Sequence, residues 1–428
     1  MADGFAVLTF LGISLLFVLL TLLFCALVLL HDLRKKYSHI PGPEIHSFVW
    51  GNGKEFQRQE NQGKAKILIF EDLIQKYGPV LVTWDIYKPI VTVLDQNITE
   101  GILEPSEFKD CISNGDFSTL FEQRFLGRGT QFVYGSDCVF NNTYVRRHLK
   151  NFNACCDMFM IKLQTMADGK AEVKMTEQFE RFSIDVIAKV AFGLNLNCMQ
   201  DPDMPFYKAL NECQDAISWS QSQLTSLLSN MLLELMQQPL IEEKKRGIYT
   251  VMYYIYISNR FVVLFRIYEE VINTVTSDSP VTFEVFNGLK FTSCVIKETV
   301  RLHPPVTAVL AHMSRSGKLG TYSIPDNTTV QIIPYLMQTN PEIWKQPKEF
   351  IPERFAESGD TSVATHFPYA MRNHNFINGL FAECLVKVVF PSLLHKFKFD
   401  FKADQDVRPS GELFSVPIDG VVCTLSQV

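Results

Sequence analysis

The strongest constraint in this chain is an apolar helix that carries both halves of an ion pair and stops at two prolines. The stretch is Val295–Pro305, VIKETVRLHPP. Glu298 and Arg301 stand three residues apart, which places them on one face of a helix. Pro304 and Pro305 cannot continue that helix. Val295, Ile296, Val300 and Leu302 are apolar, so burying the helix buries the charges with it. A buried Glu–Arg pair is tolerated only when its remaining hydrogen-bonding capacity is met. Arg354, in Pro352-Glu353-Arg354-Phe355, is a candidate third member whose guanidinium could share the carboxylate. The alternative is a surface i,i+3 ion pair, which is common and contributes little.

KETVRLHPP followed about fifty residues later by PERF resembles the cytochrome P450 family of haem-thiolate monooxygenases. The resemblance implies that Glu298, Arg301 and Arg354 form a structural triad beneath the haem-ligand loop. Its role there is architectural. It bears on the fold, which would be mostly α with a small β part, and not on whether the chain reacts.

Composition bears on class and compartment. A chain of 428 residues with 47% hydrophobic content can bury a large core. The formal net charge of -6 argues against a nucleic-acid partner. Ten cysteines lie scattered without a Cys-x-x-Cys pair, and only Cys155 and Cys156 are neighbours. This fits reduced thiols in a cytosol-facing domain better than a disulfide framework.

Phe5 to Leu30 is an uncharged apolar run, longer than the roughly 20 residues a helix needs to cross a bilayer core. A cleavable signal peptide has a shorter apolar core, with its basic residues in front. Here Asp3 precedes the run and Arg34, Lys35 and Lys36 follow it, which places the bulk of the protein on the cytosolic side. Pro41-Gly42-Pro43 then reads as a stiff break that sets the globular part at an angle. Microsomal members of the family begin in the same way. The expectation is a single-pass anchor over 1–36 in the endoplasmic reticulum membrane, with a P450-like domain over 37–428.

Within that domain, 65–77 reads as an amphipathic helix stopped by Gly78-Pro79. Residues 80–94 read as a hairpin turning near Lys88-Pro89. Asn97-Ile98-Thr99 and Asn141-Asn142-Thr143 match the glycosylation pattern, which a cytosolic domain leaves unused. The family has a helix here with Trp-x-x-x-Arg, whose two side chains reach a haem propionate. Arg146 matches the Arg, and Asn142 stands at the Trp position. Two solvated arginines at a helix start are the alternative for Arg146 and Arg147. Phe182–Gly193 reads as a core helix, and 265–271 matches the family as well. The phrases YSHIPGP, FSIDVIAKVAFG and PIDGVVCTL resemble the cholesterol 24-hydroxylase branch.

Between 218 and 259 the family's long helix across the haem, with its small-residue pair, acid and Thr, has no match. The domain reads as shortened there. Residues 224–235 are Leu/Met-rich instead, 242–246 form a charge run, and 249–257 hold aromatics that could be the end of that helix.

The family's ligand loop reads Phe-x-x-Gly-x-Arg-x-Cys-x-Gly. The aligned residues are Tyr369, Arg372, His374, Phe376 and Asn378, with Phe367-Pro368 before and Ile377, Phe381-Ala382 and Lys387 after holding the register. The family's axial Cys position is therefore Phe376, which has no lone pair for iron. The two glycine positions are Arg372 and Asn378, and the propionate-binding Arg position is His374. A second propionate Arg falls at Ala311. Cys384, eight residues on, would lie ~12 Å along a helix axis and out of reach. His374 is able to ligate iron but sits two residues from the required place.

The resemblance implies NADPH-driven monooxygenation of a sterol-like lipid, with haem as cofactor and a cytochrome reductase as electron donor. The residues at the reacting centre point instead to a haem-free descendant that binds a lipid or membrane partner. An incomplete gene product is the third possibility. No catalytic residue and no metal ligand is assigned; Arg146 and His374 are cofactor-binding candidates if haem binds.

Overall fold

The computed structural model describes residues 2–47, 50–85, 88–103, 112–114, 142–201, 203–208, 261–275, 279–304, 308–313, 315–356, 366, 375–402, 405 and 421–428. The readings made over 218–259 and at Tyr369, Arg372 and His374 lie outside these residues.

The chain opens with α1 (Ala2–Lys36), one continuous helix on which Leu16, Phe17, Leu20, Phe24 and Leu29 are exposed. Among the described residues no helix is long and apolar enough to cross a membrane. After α1 comes a sheet module. Helices α2 (Gly53–Asn61) and α3 (Lys66–Tyr77) lead into strands β1 (Val80–Asp85) and β2 (Lys88–Val93). The two strands pair antiparallel, with Val80 opposite Val93 and Asp85 opposite Lys88. Lys88 pairs with Asp85, so the connection falls immediately before Lys88-Pro89, near where the sequence suggested the turn. Lys88 opens β2 and Pro89 stands opposite Trp84, the edge-of-strand place where a missing N–H costs least.

Helix α4 (Gln96–Leu103) and strand β3 (Ile112–Asn114) follow. The sheet is completed by β5 (Val309–Met313) and β8 (Thr329–Ile332) in the order β1-β2-β8-β5-β3. Among the described residues of this sheet only β2 and β8 run parallel. Strands β6 (Gly317–Leu319) and β7 (Tyr322–Ile324) make a small hairpin beside it. Trp84, Val91, Val93, Val330 and Ile332 form the core of this module.

The helical part packs α5 (Asn142–Gln164), α6 (Met175–Phe192) and α11 (Asn375–Lys396) around Phe152, Phe159, Phe182, Leu385 and Val389. Strand β4 (Asp168–Lys174) joins β10 (Val422–Gln427) and β9 (Phe397–Phe401) in a second sheet, order β4-β10-β9. Helix α6 ends where Gly193 turns left-handed (φ 70°) and the Leu194 N–H reaches back to the Ala188 carbonyl. That closing bond needs a residue free of a Cβ penalty.

A third cluster holds the stretch Val295–Leu302 met first in the sequence. Helix α7 (Phe261–Thr274), short α8 (Phe283–Gly288) and α9 (Lys290–Leu302) pack through Ile267, Val271, Val295, Ile296 and Val300 against Val386 and Phe390 of α11. Helix α10 (Pro334–Gln338) and the 3-10 turn Pro352–Phe355 close over α9. The architecture is mostly helical with smaller sheets.

Candidate functional site

The polar centre of the described fold is built on α9. Glu298 and Arg301 are both fully buried. Arg301 Nε donates to Glu298 Oε2 at 2.6 Å and Nη2 to Oε1 at 2.9 Å, a two-pronged contact with one carboxylate. The three remaining guanidinium hydrogens are also used. Nη1 donates to the carbonyls of Gln338 (2.7 Å) and Pro347 (2.8 Å), and Nη2 to that of Glu349 (3.1 Å). All five donors of the fork are thus met, the condition a buried guanidinium requires. Glu298 Oε1 also accepts from the Ile351 N–H at 2.7 Å and from Arg354 Nε at 3.4 Å. Arg354 in turn donates to the Gln346 carbonyl at 2.7 Å. The Trp344 ring lies 5.0 Å from the Arg301 guanidinium.

Helix α7 supports this centre from outside, which the sequence did not reveal. Glu270 accepts from the Phe291 and Thr292 N–H groups and the Thr292 hydroxyl, so a neighbouring helix caps the start of α9. One turn earlier, Arg266 pairs with Glu353 of the 3-10 turn and lies 3.9 Å from the Phe291 ring. The spacing of Arg266 and Glu270 is helical, but their partners are far in sequence and only folding shows them.

His366 touches the same centre. Its Nε2 donates to the Lys297 carbonyl at 3.1 Å and its ring lies 4.8 Å from Phe355. Loss of water around the ring, reinforced by the charges of Lys297 and Arg301, pushes its pKa down to about 3.

The positions read as the family's cofactor site are placed as follows. Phe376 and Asn378 fall in the first turn of α11, whose helical backbone starts at Asn375. They were expected in a loop; at Asn378, where the family pattern has a glycine, a residue with a Cβ favours right-handed helical backbone. Cys384 lies farther along α11, buried in the helical core, and burial pushes its thiol well above the ordinary range. Ala311 sits in β5, opposite Val330 and Asn114. Asn142 opens α5.

Arg146, on the exposed side of α5, holds its guanidinium 4.3 Å from the centre of the Phe283 ring. Phe283 stacks on Phe286 at 6.3 Å. Lys387 of α11 sits 4.4 Å over Phe286, donates to its carbonyl, and pairs with Glu383 at 3.0 Å. Ser293 of α9 donates to Glu383 at 2.7 Å. Burial alone would raise the Glu383 carboxyl, but Lys387 and Ser293 outweigh it and hold it below its usual range. The result is a ladder of two cations, two rings and one carboxylate that crosses α5, α8, α11 and α9. The Glu383/Lys387 spacing of four signals its last rung; the aromatic rungs have no sequence signal.

Comparison with known proteins agrees with this architecture. The family model described as Cytochrome P450 matches residues 41–258 and 247–424. The chain is 24% identical to the probable cytochrome P450 4d20 of Drosophila melanogaster, over 76% of this chain and 81% of the relative. It is 21% identical to cytochrome P450 3A2 of Rattus norvegicus over 90% of each. Cytochrome P450 4V2 of Mus musculus is 30% identical over 35% of this chain and 29% of that protein.

Proposed function

We propose, for a chain that belongs to the cytochrome P450 family, that the scaffold is kept while the haem-thiolate centre is not. The family carries haem, held by a cysteine thiolate whose electron push favours O–O cleavage. The observation that carries the proposal is Phe376 at the ligand position, in a register held by residues on both sides. A phenyl ring offers iron no electron pair. The nearest cysteine downstream, Cys384, is turned into the core, where its thiolate is disfavoured. Ala311 offers a propionate nothing, and Arg146 is engaged with Phe283. These residues do not fit a thiolate-bound haem.

The remaining scaffold is read as a membrane-bound protein that holds a lipid, with a sterol as the first candidate from the phrases shared with the cholesterol 24-hydroxylase branch. The anchor is the uncharged run Phe5–Leu30 within α1, followed by Arg34, Lys35 and Lys36. The charge order is what supports a cytosolic domain, and the resemblance to microsomal members of the family is what supports the endoplasmic reticulum. The test is labelling of the purified protein by a photoreactive cholesterol analogue in detergent. Labelling that excess cholesterol competes away is expected; no labelling, or labelling that cholesterol leaves unchanged, removes sterol binding.

A second reading is an active haem-dependent lipid hydroxylase supplied with electrons by NADPH-cytochrome reductase. What favours it is the span of the family match across the whole domain. It requires an iron ligand other than a thiolate at position 376, and His374 is the candidate. Reading the transcript across 218–259 and 367–379 separates both from an incomplete gene product.

A further inference from the structure

The segment between α1 and the sheet carries the Pro-Gly-Pro signature of a break, yet among the described residues it is bonded to the domain at Tyr37, His39, Pro41, Glu44 and Asn52. Tyr37, the first residue after α1, is 2% exposed. Its hydroxyl shares a hydrogen bond with the Thr328 hydroxyl at 2.6 Å, just before β8. Its ring stands edge-on to Trp84 of β1 at 5.5 Å, and the Arg34 guanidinium lies over the same indole. Leu33, still inside α1, packs on the core of the sheet module, and Ile40 is buried in it. His39 donates to the Ser323 carbonyl of β7 at 2.9 Å.

The Pro-Gly-Pro residues continue the attachment. The Val82 N–H donates to the Pro41 carbonyl at 2.8 Å, so the segment lies along β1 as an added backbone partner. Gly42 is required by contact: a Cβ there would stand 2.2 Å from the Val82 carbonyl oxygen. Farther on, Asn52 donates to the Glu44 carbonyl and accepts from the Trp84 N–H, closing the loop back onto β1.

We propose that α1 and the β1-β2-β8 sheet are one rigid body, so that the domain's pose over the bilayer is set by the fold and not by a linker. The membrane half of this statement rests on the reading of α1 as an anchor; the rigid joint does not. The prolines here remove donors that strand pairing does not need and fix φ, while Gly42 lets the backbone approach β1. The attachment also runs on into the centre of the molecule. Tyr37 bonds to Thr328, β8 follows directly, and α10 after it supplies the Gln338 carbonyl that Arg301 uses.

The test is a pair of spin labels on the full chain in detergent. Labels are introduced as ketone-bearing residues, which avoids the native cysteines, at Leu29 of α1 and Lys318 of β6. A second pair at Lys66 and Lys318, both within the sheet module, serves as the reference. The expected result is a distance distribution for the first pair as narrow as for the reference pair. Gly42→Ala is expected to broaden the first pair and leave the reference unchanged. Where that variant fails to fold, which the reference pair reports, Tyr37→Phe removes one hydroxyl and is expected to broaden the first pair more mildly. A broad first-pair distribution in the parent overturns the proposal, and so does a distribution that stays narrow in both variants. Detergent is used so that failure here is distinct from failure of the anchor, which the glycan and protease measurements below decide.

Discussion

Arg146 places its guanidinium 4.3 Å from the ring centre of Phe283, on a helix whose matched residue in the family reaches a haem propionate. The side chain is exposed, and its attraction to the ring at such a site is worth about 0.5–1 kcal/mol. Arg146→Ala is expected to destabilise the full chain by about that amount. A double-mutant cycle with Phe283→Leu in chemical denaturation should return a coupling of similar size. A coupling of zero would mean that the guanidinium is not committed to the ring.

Arg301→Ala would leave Glu298 buried without its main partner, and the carbonyls of Gln338, Pro347 and Glu349 without the donor they accept from. The expected cost is roughly 3–5 kcal/mol, enough to abolish a cooperative thermal transition or cause aggregation. Arg301→Lys should recover little, because an ammonium has three donors and no planar fork. A melting curve for Arg301→Ala that overlays the parent's contradicts the buried network.

His366 makes stability depend on pH with a definite sign. Its pKa in the folded chain is about 3, below the ordinary 6.5, so the unfolded chain takes up a proton that the folded one refuses. The contribution is complete above about pH 6.5 and is lost progressively as pH falls toward 3. The groups facing the ring are the Lys297 carbonyl, which favours an imidazolium, and the Lys297 and Arg301 charges and Phe355; loss of water and the two cations outweigh the carbonyl. His366→Phe is expected to flatten the fall in melting temperature between pH 7 and 5, where most carboxylates stay ionised. An unchanged slope removes His366 as its source.

The anchor reading makes a prediction about sidedness. Asn97 is exposed on α4 and available to a glycan, although Thr99 of its sequon is buried. In intact microsomes the domain should be digested by added protease, and Asn97 and Asn141 should carry no glycan. A glycan at either residue reverses the orientation.

Some of this was legible in the sequence for stated physical reasons. Glu298 and Arg301 announced themselves because two charges at helical spacing among Val295, Ile296 and Val300 demand partners. Residues 65–77 and 182–193 gave themselves away by period and by their terminal glycines. The partners themselves were not legible. Gln338, Pro347 and Glu349 contribute backbone carbonyls, which every residue has, and Glu270 caps a helix 21 residues away. Pro41-Gly42-Pro43 read as a break because local rules see only lost donors and freed φ. Its bond to Val82 and the contact that excludes a Cβ at Gly42 depend on a strand forty residues later. The start of α11 at Asn375 was likewise hidden, since the family's loop pattern suggested irregular backbone through 378.

Whether this P450 scaffold holds a thiolate-ligated haem is read from one spectrum. The full chain is expressed with a haem precursor, purified in detergent and reduced, and its absorbance difference with carbon monoxide is recorded. No thiolate-type band is expected, and none either after Phe376→Cys alone, because Ala311 and the ladder around Arg146 remain unchanged. A thiolate-type band from the unmodified protein would contradict the account outright, and a histidine-type band would do so in favour of His374 as the ligand.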